Sequence, residues 1–584
     1  MKNLLKNHWL VFLSAFVIGL IIFLPNITSI IKTGDKFSGI YPMFNDDESY
    51  YLAITKEVYE GSYNSGNTFI KEYKNSPALQ PLYFETIPAF EAKLFGISVP
   101  EAFVLNDLIL PLLGVILLYI ILFSITESRL ISNIFSFSFY FIFLGVFNRP
   151  ISPQLGFVFL LVGVFLIWKT ISKSYELEKF LILNSLLGFV FGLLVYVYPF
   201  YWTTLIVLYG VSSLLVIFKE RQYLYWVKGY FVFSLVSLLI HLPYILNVLK
   251  IFKDPSLFEA SVRNGLVLTH WPGAFFNTAF ILFCFPIVYL LTSHFSNKRH
   301  LIFSYALIIS GVVLNWQNII TGQVLQFSSH YYLITIFFIF LIISIVLKNL
   351  LSSLFNQENL SYKKWLAIAM SATLLLVIIY KQKNDIVIPF KNIVYPPDIT
   401  ELQRISPALD WLNKNTETES VVYGLGGKYD VYVPIYTNNN VYLSWYTGMS
   451  LIPDNELENR WVIQHFWDDI DPEFVNESHR SIWINKFQDT YANKEVRRKI
   501  FEKLTGNKYP ENVLLENKYV DTVLEKSAQY KKAGFEKSLK TYEVNYVILD
   551  TKDDRYKNLA DKFKKYSFLL PMVEKNGFIV YKVE

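Results

Sequence analysis

The sequence contains a single cysteine, Cys284, among 584 residues. One thiol cannot form a disulfide within the chain, and it also excludes the cysteine-rich zinc sites. Charged residues are scarce as well: they make up 17% of the chain, whereas a soluble protein has about 25%. The net charge of +5 is small and no basic stripe is present, so the composition does not indicate a nucleic-acid-binding protein.

Long apolar runs occupy residues 1 to about 385, and the rest of the chain has the composition of a soluble domain. A helix that crosses a membrane needs about 20 mostly apolar residues. The first run is too long for a signal-peptide core, so we expect it to be retained as a helix. The eleven predicted spans are residues 8–31, 103–125, 130–147, 153–170, 179–197, 200–218, 225–247, 274–293, 300–320, 330–348 and 363–380.

The lysines and arginines between these segments predict an orientation. Cytoplasmic loops carry an excess of basic residues, and the connections alternate in basic content along this chain. With Lys2 and Lys6 in the cytoplasm, the short outside turn near Pro150 carries Arg149 alone. We therefore expect a multi-pass protein of the plasma membrane with a cytoplasmic N-terminus and an extracytoplasmic C-terminal part. The bias towards Lys, Ile, Asn, Phe and Tyr suggests a prokaryote.

The same pattern predicts two domains. A transmembrane domain covers residues 1–385 and includes a large first extracytoplasmic loop at 33–102. A soluble extracytoplasmic domain covers 386–584, where helical spacing alternates with short buried strand signals. The predicted fold class is an α-helical polytopic membrane protein, with about 11 transmembrane helices and a C-terminal α/β domain.

Three consecutive acids, Asp46, Asp47 and Glu48, lie in the first loop, close behind the first predicted span. A carboxylate near hydrocarbon is costly unless a cation, a proton or a reaction uses it. Asn45 or Asp46 can also cap a helix that begins at about Asp47 and is ended by Gly61. The acids are therefore either capping residues or reactive groups, and we favour the reactive interpretation because this helix would be pinned at the membrane surface.

The stretch Asp47-Glu48-Ser49-Tyr50-Tyr51-Leu52-Ala53 resembles the first-loop motif of the GT-C glycosyltransferase superfamily, as in protein O-mannosyltransferases and aminoarabinose transferases. The continuation Lys56–Gly61 is similar to the helix closed by glycine in that superfamily, and Pro77–Gly96 resembles its second amphipathic loop helix. Members are multispanning enzymes that take a sugar from a polyprenyl phosphate or diphosphate. The eleven spans and the outward C-terminal domain also resemble the catalytic subunit of oligosaccharyltransferases.

Two features differ from oligosaccharyltransferases. Their WWDYG motif has no counterpart here, since Ser444-Trp445-Tyr446-Thr447-Gly448 and Phe466-Trp467-Asp468-Asp469 do not match it. Their second outside loop carries acids, whereas this chain carries Arg149. We therefore predict no N-glycosylation of a sequon and no obligatory cofactor. If a divalent cation, Mg or Mn, is used, Asp46 and Asp47 are its predicted ligands.

The resemblance implies a glycosyltransferase that moves a sugar from a polyprenyl-phosphate or diphosphate carrier to an extracytoplasmic glycan, lipid or protein acceptor, with inversion at the anomeric carbon. The acceptor must lose a proton, and Asp47 is the predicted general base, with Asp46 and Glu48 as helpers or capping residues. The phosphate leaving group requires cations and hydrogen-bond donors. The predicted ligands of substrate and phosphate are Arg149, Arg263, His270, His330, Tyr50 and Tyr51.

Two alternatives remain open. A polysaccharide polymerase or ligase would also use an outside loop, although usually a late one that is rich in Arg and His. A transporter or flippase of a lipid-linked sugar predicts charged residues inside the spans and inverted repeats. The predicted spans hold few charges, of which Asp107 is the clearest.

Overall fold

The structure of the protein is a computed structural model. It describes residues 2–292, 295, 297–324, 330–355, 362–426, 428–487, 502–507 and 515–584, except for the side chains of residues 2–5, 46 and 352–355. The α-helices are α1 (Lys2–Thr33), α2 (Asp46–Tyr59), α3 (Thr86–Phe95), α4 (Val99–Thr126), α5 (Arg129–Ile142), α6 (Gln154–Ser172), α7 (Leu177–Leu194), α8 (Pro199–Glu220), α9 (Tyr223–Ile251), α10 (Leu257–Arg263), α11 (Phe275–Leu290), α12 (Lys298–Trp316), α13 (Asn318–Thr321), α14 (Tyr331–Phe355), α15 (Tyr362–Lys381), α16 (Lys383–Val394), α17 (Ser406–Asn415), α18 (Tyr429–Tyr436), α19 (Asp454–Gln464), α20 (Pro472–Trp483), α21 (Asn517–Ala533), α22 (Phe535–Leu539) and α23 (Leu559–Phe563). Short 3₁₀ helices lie at Gly34–Lys36, Lys71–Tyr73, Leu402–Ile405 and Trp445–Met449.

Long apolar helices make up most of the N-terminal part. Over the described ranges, nine helices are long and apolar enough to cross a membrane. Each predicted span coincides with a helix, and the predicted fold class is confirmed. Two of the helices are shorter than predicted: α5 has 14 residues and α11 has 16. A helix that crosses the hydrocarbon core at right angles needs about 20, so the arrangement of eleven spans stays a prediction.

Helices α4 and α5 show how the sequence sets the packing. Helix α4 begins with a capping box, in which Glu101 accepts the backbone N–H of Ser98 at 2.7 Å and Ser98 accepts that of Glu101. Further along, Gly114 faces the ring of Tyr140 on α5. A Cβ atom at position 114 would lie 1.8 Å from the Tyr140 hydroxyl, so glycine permits this close approach.

The first loop contains α2 and α3. The Asn45 side chain accepts the backbone N–H of Asp47 at 3.0 Å, and Gly61 follows the helix with a φ of +107°. The capped helix expected from the sequence is therefore present. Helix α2 buries Leu52 and Ala53 and packs against α3, α4 and α18, so it lies between the membrane helices and the C-terminal part.

A five-stranded sheet organises the C-terminal part. The strands of the protein are β1 (Val267–Leu268), β2 (Gln323–Val324), β3 (Val421–Leu425), β4 (Asn440–Val441), β5 (Tyr546–Asp550), β6 (Leu569–Lys575) and β7 (Phe578–Val583). The strand order of the sheet is β4-β3-β5-β7-β6; β3 runs parallel to β4 and β5, and β7 runs antiparallel to β5 and β6. The predicted α/β character of this part is confirmed, whereas the boundary near residue 385 stays a prediction. A separate antiparallel pair, β1 with β2, joins the connection between α10 and α11 to the connection between α13 and α14.

Candidate active site

Asp47 and Arg149 form an ion pair. Asp47 lies in the first turn of α2, and Arg149 lies in the turns that connect α5 to α6. The Oδ2 atom of Asp47 is 2.8 Å from Nη2 of Arg149, and the side chains are 38% and 27% exposed. The acid and the cation that the sequence singled out separately therefore meet, and both keep access to solvent.

The position of Asp47 follows from local structure. Asn45 caps α2 and fixes the direction of its first turn. A carboxylate in this turn is stabilised by the partial positive charge of the helix N-terminus as well as by Arg149. The side chain of the neighbouring Asp46 lies outside what the structure describes, so its predicted role stays a prediction.

Arg149 is largely enclosed by aromatic groups. The Tyr51 hydroxyl is hydrogen-bonded to its guanidinium, and Tyr198 and Tyr201 are close enough to interact with it electrostatically. The Nε atom of Arg149 is buried and has no hydrogen-bond partner within the described ranges. An arginine has five N–H donors, and because Nε is buried, a further oxygen-rich group can reach only the terminal nitrogens of this 27% exposed side chain.

Glu48 has a different environment from Asp47. Its side chain is buried, and its Oε2 atom accepts the backbone N–H of Phe44 at 2.9 Å. Burial raises the pKa of Glu48 to about 8, against the hydrogen bonds from Phe44 and Asn45, which lower it. This geometry favours the capping alternative for Glu48, because its carboxyl group is committed to the chain that leads into α2.

Tyr50 joins α2 to an aromatic cluster. Its ring centroid lies 5.6 Å from that of Tyr51, 6.2 Å from that of Phe69 and 5.4 Å from that of Tyr446. These are ordinary packing distances for aromatic pairs. Tyr50 and Tyr51 face a cavity, whereas Tyr446 connects the cluster to the C-terminal part.

The cavity has a volume of about 790 Å³ and is lined by both polar and apolar side chains. Its polar lining includes the ion pair described above, together with Gln80 and Glu85. Its apolar lining includes Phe252 and Phe258 from the region where α9 meets α10, and these side chains are 72% and 61% exposed. Met449 also lines the cavity, so the C-terminal part closes one of its sides.

Glu85 is a functional candidate that the sequence analysis missed. It lines the cavity and is only 2% exposed, and its Oε2 atom is buried without a partner in the described parts of the chain. Burial raises its pKa to about 7, although backbone hydrogen bonds at Phe84 and Glu85 lower it. A single glutamate within the apolar stretch Leu82–Ile87 is the only signal that the sequence gives.

His330 lies near the cavity wall. Its Nδ1 atom is 2.6 Å from the hydroxyl of Tyr198, which lines the cavity. His330 can therefore orient Tyr198 at the cavity, and its predicted contribution to phosphate binding stays a prediction.

Arg263 and His270 lie outside the cavity that contains Asp47 and Arg149. The Arg263 side chain is fully buried, donates to the carbonyl oxygens of Gly448 and Ile452 at 2.8 and 2.6 Å, and pairs with Asp454. His270 is exposed and its Nδ1 atom lies 3.0 Å from the carbonyl oxygen of Ile319. Neither residue lines the cavity, so the phosphate site proposed below does not include them.

Among the described residues, Asp47 has no second carboxylate or imidazole ligand beside it for a divalent cation, and the side chain of Asp46, the other predicted ligand, lies outside the described residues. Within the described residues, no group of three or more His, Cys, Asp or Glu side chains is placed to hold a metal ion. The partner of Asp47 is a guanidinium, which would repel a second cation at this position.

Comparisons with known proteins find similarity to solved structures only. No family model matches the chain, and no curated protein matches it either. The chain is similar to ArnT from Cupriavidus metallidurans bound to undecaprenyl phosphate, with 11% identity and a TM-score of 0.48, over 99% of this chain and 98% of that chain. It is also similar to the archaeal oligosaccharyltransferase AglB from Archaeoglobus fulgidus in complex with an inhibitory peptide and a dolichol-phosphate, with 12% identity and a TM-score of 0.36, over 99% of this chain and 75% of that chain.

By its own structure, the chain is a mostly helical protein with membrane-length helices, a small C-terminal sheet and a cavity lined by residues of both the helical part and the C-terminal part.

Proposed function

We propose that this protein is a membrane glycosyltransferase that transfers a sugar from a polyprenyl-phosphate or diphosphate carrier to an acceptor at the extracytoplasmic surface. The observation that carries the proposal is the Asp47–Arg149 pair. The two side chains lie 2.8 Å apart and line one open cavity, which supports the proposal of a base next to a phosphate-binding cation. The orientation predicted from the basic residues puts this cavity outside the cytoplasm.

The reaction uses the two members of the pair for different steps. A hydroxyl or amine of the acceptor attacks the anomeric carbon, and the bond between that carbon and the phosphate oxygen breaks. Asp47 takes the proton from the attacking group. Arg149 stabilises the negative charge on the departing phosphate, next to the Tyr51 hydroxyl. A single displacement of this kind inverts the configuration at the anomeric carbon.

Arg149 can serve both partners at once. Its Nη2 atom is bound to Asp47 and its Nε atom is buried, whereas the side chain as a whole stays 27% exposed beside the cavity. The two terminal nitrogens carry four N–H donors, so a phosphate that approaches through the cavity can bind there without displacing Asp47.

The shape of the cavity suits an amphipathic substrate. Part of its apolar lining comes from the last turn of α9 and from α10, and α9 presents exposed apolar side chains such as Leu246 and Leu249 along its length. An isoprenoid chain can therefore lie against α9 while its phosphate reaches Arg149. The sugar then lies beside Tyr50 and Glu85, which also line the cavity.

The proposal is tested by reconstituting the full chain in nanodiscs. Tritiated pentose and hexose derivatives of a polyprenyl phosphate are supplied as donors, with an extract of cell-envelope glycans, lipids and proteins as acceptors. Release of polyprenyl phosphate and labelling of an acceptor are measured. Asp47→Asn is expected to lower transfer about 100-fold or more, because the base is lost. Full transfer by this variant would overturn the proposal.

The matched control is Asp35→Asn. Asp35 is an exposed acid of the same loop that does not line the cavity, so this variant should transfer at the wild-type rate. The two alternatives have distinct outcomes in the same experiment. A flippase would move the donor between leaflets with its sugar–phosphate bond intact, and a polymerase or ligase would join lipid-linked glycans to one another or to a lipid core.

A further inference from the structure

We propose that Asp107 and Gln154 are positioning residues, which hold the turn that presents Arg149 to the carrier phosphate. This inference rests on the proposed function, because it gives the two residues a role only through Arg149. Neither of them lines the cavity, so neither is expected to contact the substrate.

The first contact is between two side chains. Asp107 lies on α4 and is 7% exposed, and its Oδ1 atom accepts a hydrogen bond from Nε2 of Gln154 at 2.8 Å. Gln154 is the first residue of α6 and is 3% exposed. The same Nε2 group donates to the carbonyl oxygen of Phe147 at 3.0 Å. The Gln154 amide therefore ties the start of the Arg149 turn to α4.

The second contact is made by the backbone. The N–H of Gln154 donates to the carbonyl oxygen of Arg149 at 3.2 Å. Gln154 thus binds the chain on both sides of the Arg149 side chain, through its amide at Phe147 and through its main chain at Arg149 itself. A displacement of about 1 Å at a reacting group can lower a rate about 100-fold. Fixing this turn therefore keeps the Arg149 guanidinium at the position where it would bind the phosphate.

The other oxygen of Asp107 provides an internal comparison. Its Oδ2 atom accepts a hydrogen bond from Nδ2 of Asn26 on α1 at 2.9 Å. The Asn26 bond is of the same chemical kind as the Gln154 bond and is equally buried, but it does not reach the turn. Buried carboxyl groups are costly in a helix bundle, and packing alone would be served by apolar residues. The positioning of Arg149 accounts for the carboxyl group at Asp107.

The experiment measures the binding of undecaprenyl phosphate to the full chain in nanodiscs. Arg149→Gln and Gln154→Leu are each expected to weaken binding by about 10-fold or more. Asn26→Leu loses the same kind of hydrogen bond to Asp107, and its affinity should stay within about 3-fold of the wild type. In the Arg149→Gln background, Gln154→Leu should weaken binding no further, because the residue that it positions is gone.

The outcomes separate this inference from the proposed function. If Arg149→Gln binds the lipid as the wild type does, the proposed phosphate site is wrong. If Arg149→Gln weakens binding while Gln154→Leu does not, the phosphate site stands and the positioning role is wrong. Should Gln154→Leu fail to fold, Gln154→Met decides, because it keeps the length of the side chain and removes the Nε2 donor to Asp107 and Phe147. Wild-type affinity of that variant would overturn the inference.

Discussion

The hydroxyl of Tyr446 lies 2.7 Å from the hydroxyl of Ser49. Ser49 follows the acids in α2, and Tyr446 belongs to the 3₁₀ helix that leads to Met449, a residue of the cavity wall. Both side chains are buried. The C-terminal part therefore bonds directly to the helix that carries Asp47, so it contributes to the geometry of the candidate site and not only to its surroundings.

Tyr446→Phe is expected to lower sugar transfer about 3- to 10-fold. The variant removes one buried hydrogen bond to α2, which is worth about 1 kcal/mol, and leaves the aromatic packing in place. Transfer in nanodiscs and the thermal unfolding midpoint are measured together. The matched control is Tyr442→Phe, since the Tyr442 hydroxyl is buried without a partner in the described ranges. Equal activity of the two variants would contradict the prediction.

Glu85 is expected to make the protein less stable as the pH rises from about 5 to 8. Its pKa is about 7 in the folded chain and near 4.5 in the unfolded chain, so between these values the folded state binds more protons. Stability then falls with increasing pH, by on the order of 3 kcal/mol at most. Glu48 acts in the same direction up to about pH 8.

The measurement is the unfolding midpoint of the wild type and of Glu85→Gln at pH 5, 6, 7 and 8. The glutamine is neutral at every pH, so the variant should lose less stability than the wild type over this range. The remaining slope should come partly from Glu48, and Glu48→Gln should reduce it further. Parallel pH profiles of wild type and Glu85→Gln would show that Glu85 is not held in its neutral form.

Features encoded by neighbouring residues could be predicted from the sequence. The cap at Asn45 and the glycine at position 61 predicted α2, and hydropathy located the apolar helices. Arg149 stood out because it is the only charge in its turn. The pairing of Arg149 with Asp47 could not be predicted, because it depends on how α2 packs beside the turn between α5 and α6.

Features created by burial could not be predicted. Glu85 belongs to no motif, and its raised pKa arises from the protein around it. Arg263 looked like a loop cation because the sequence does not show that Asp454 and three carbonyl oxygens enclose it. The early end of α5 at Ile142 was also missed, since the apolar run continues to Phe147 while the backbone already turns.

Arg263→Met is expected to destabilise the protein by about 3–5 kcal/mol. Arg263 is fully buried and pairs with Asp454, which would be left with Lys486 as its remaining cationic partner. The unfolding midpoint of the full chain measures the effect. The control is Lys540→Met, because its pair with Glu536 is largely exposed and should contribute less than about 1 kcal/mol. Similar losses in both variants would contradict a structural role for Arg263.

Sugar transfer is expected to continue after dialysis against EDTA. Asp47 is neutralised by Arg149 at 2.8 Å, and the same guanidinium would repel a divalent ion bound beside that carboxylate. The measurement compares rates in EDTA, in Mg²⁺ and in Mn²⁺ for wild type and for Arg149→Gln. The wild-type rates should agree within about 2-fold, whereas Arg149→Gln should be slow in all three, because in the proposed reaction Arg149 supplies the charge that the leaving phosphate requires. A wild-type enzyme that stops in EDTA and recovers with Mn²⁺ would show instead that a metal ion performs this task.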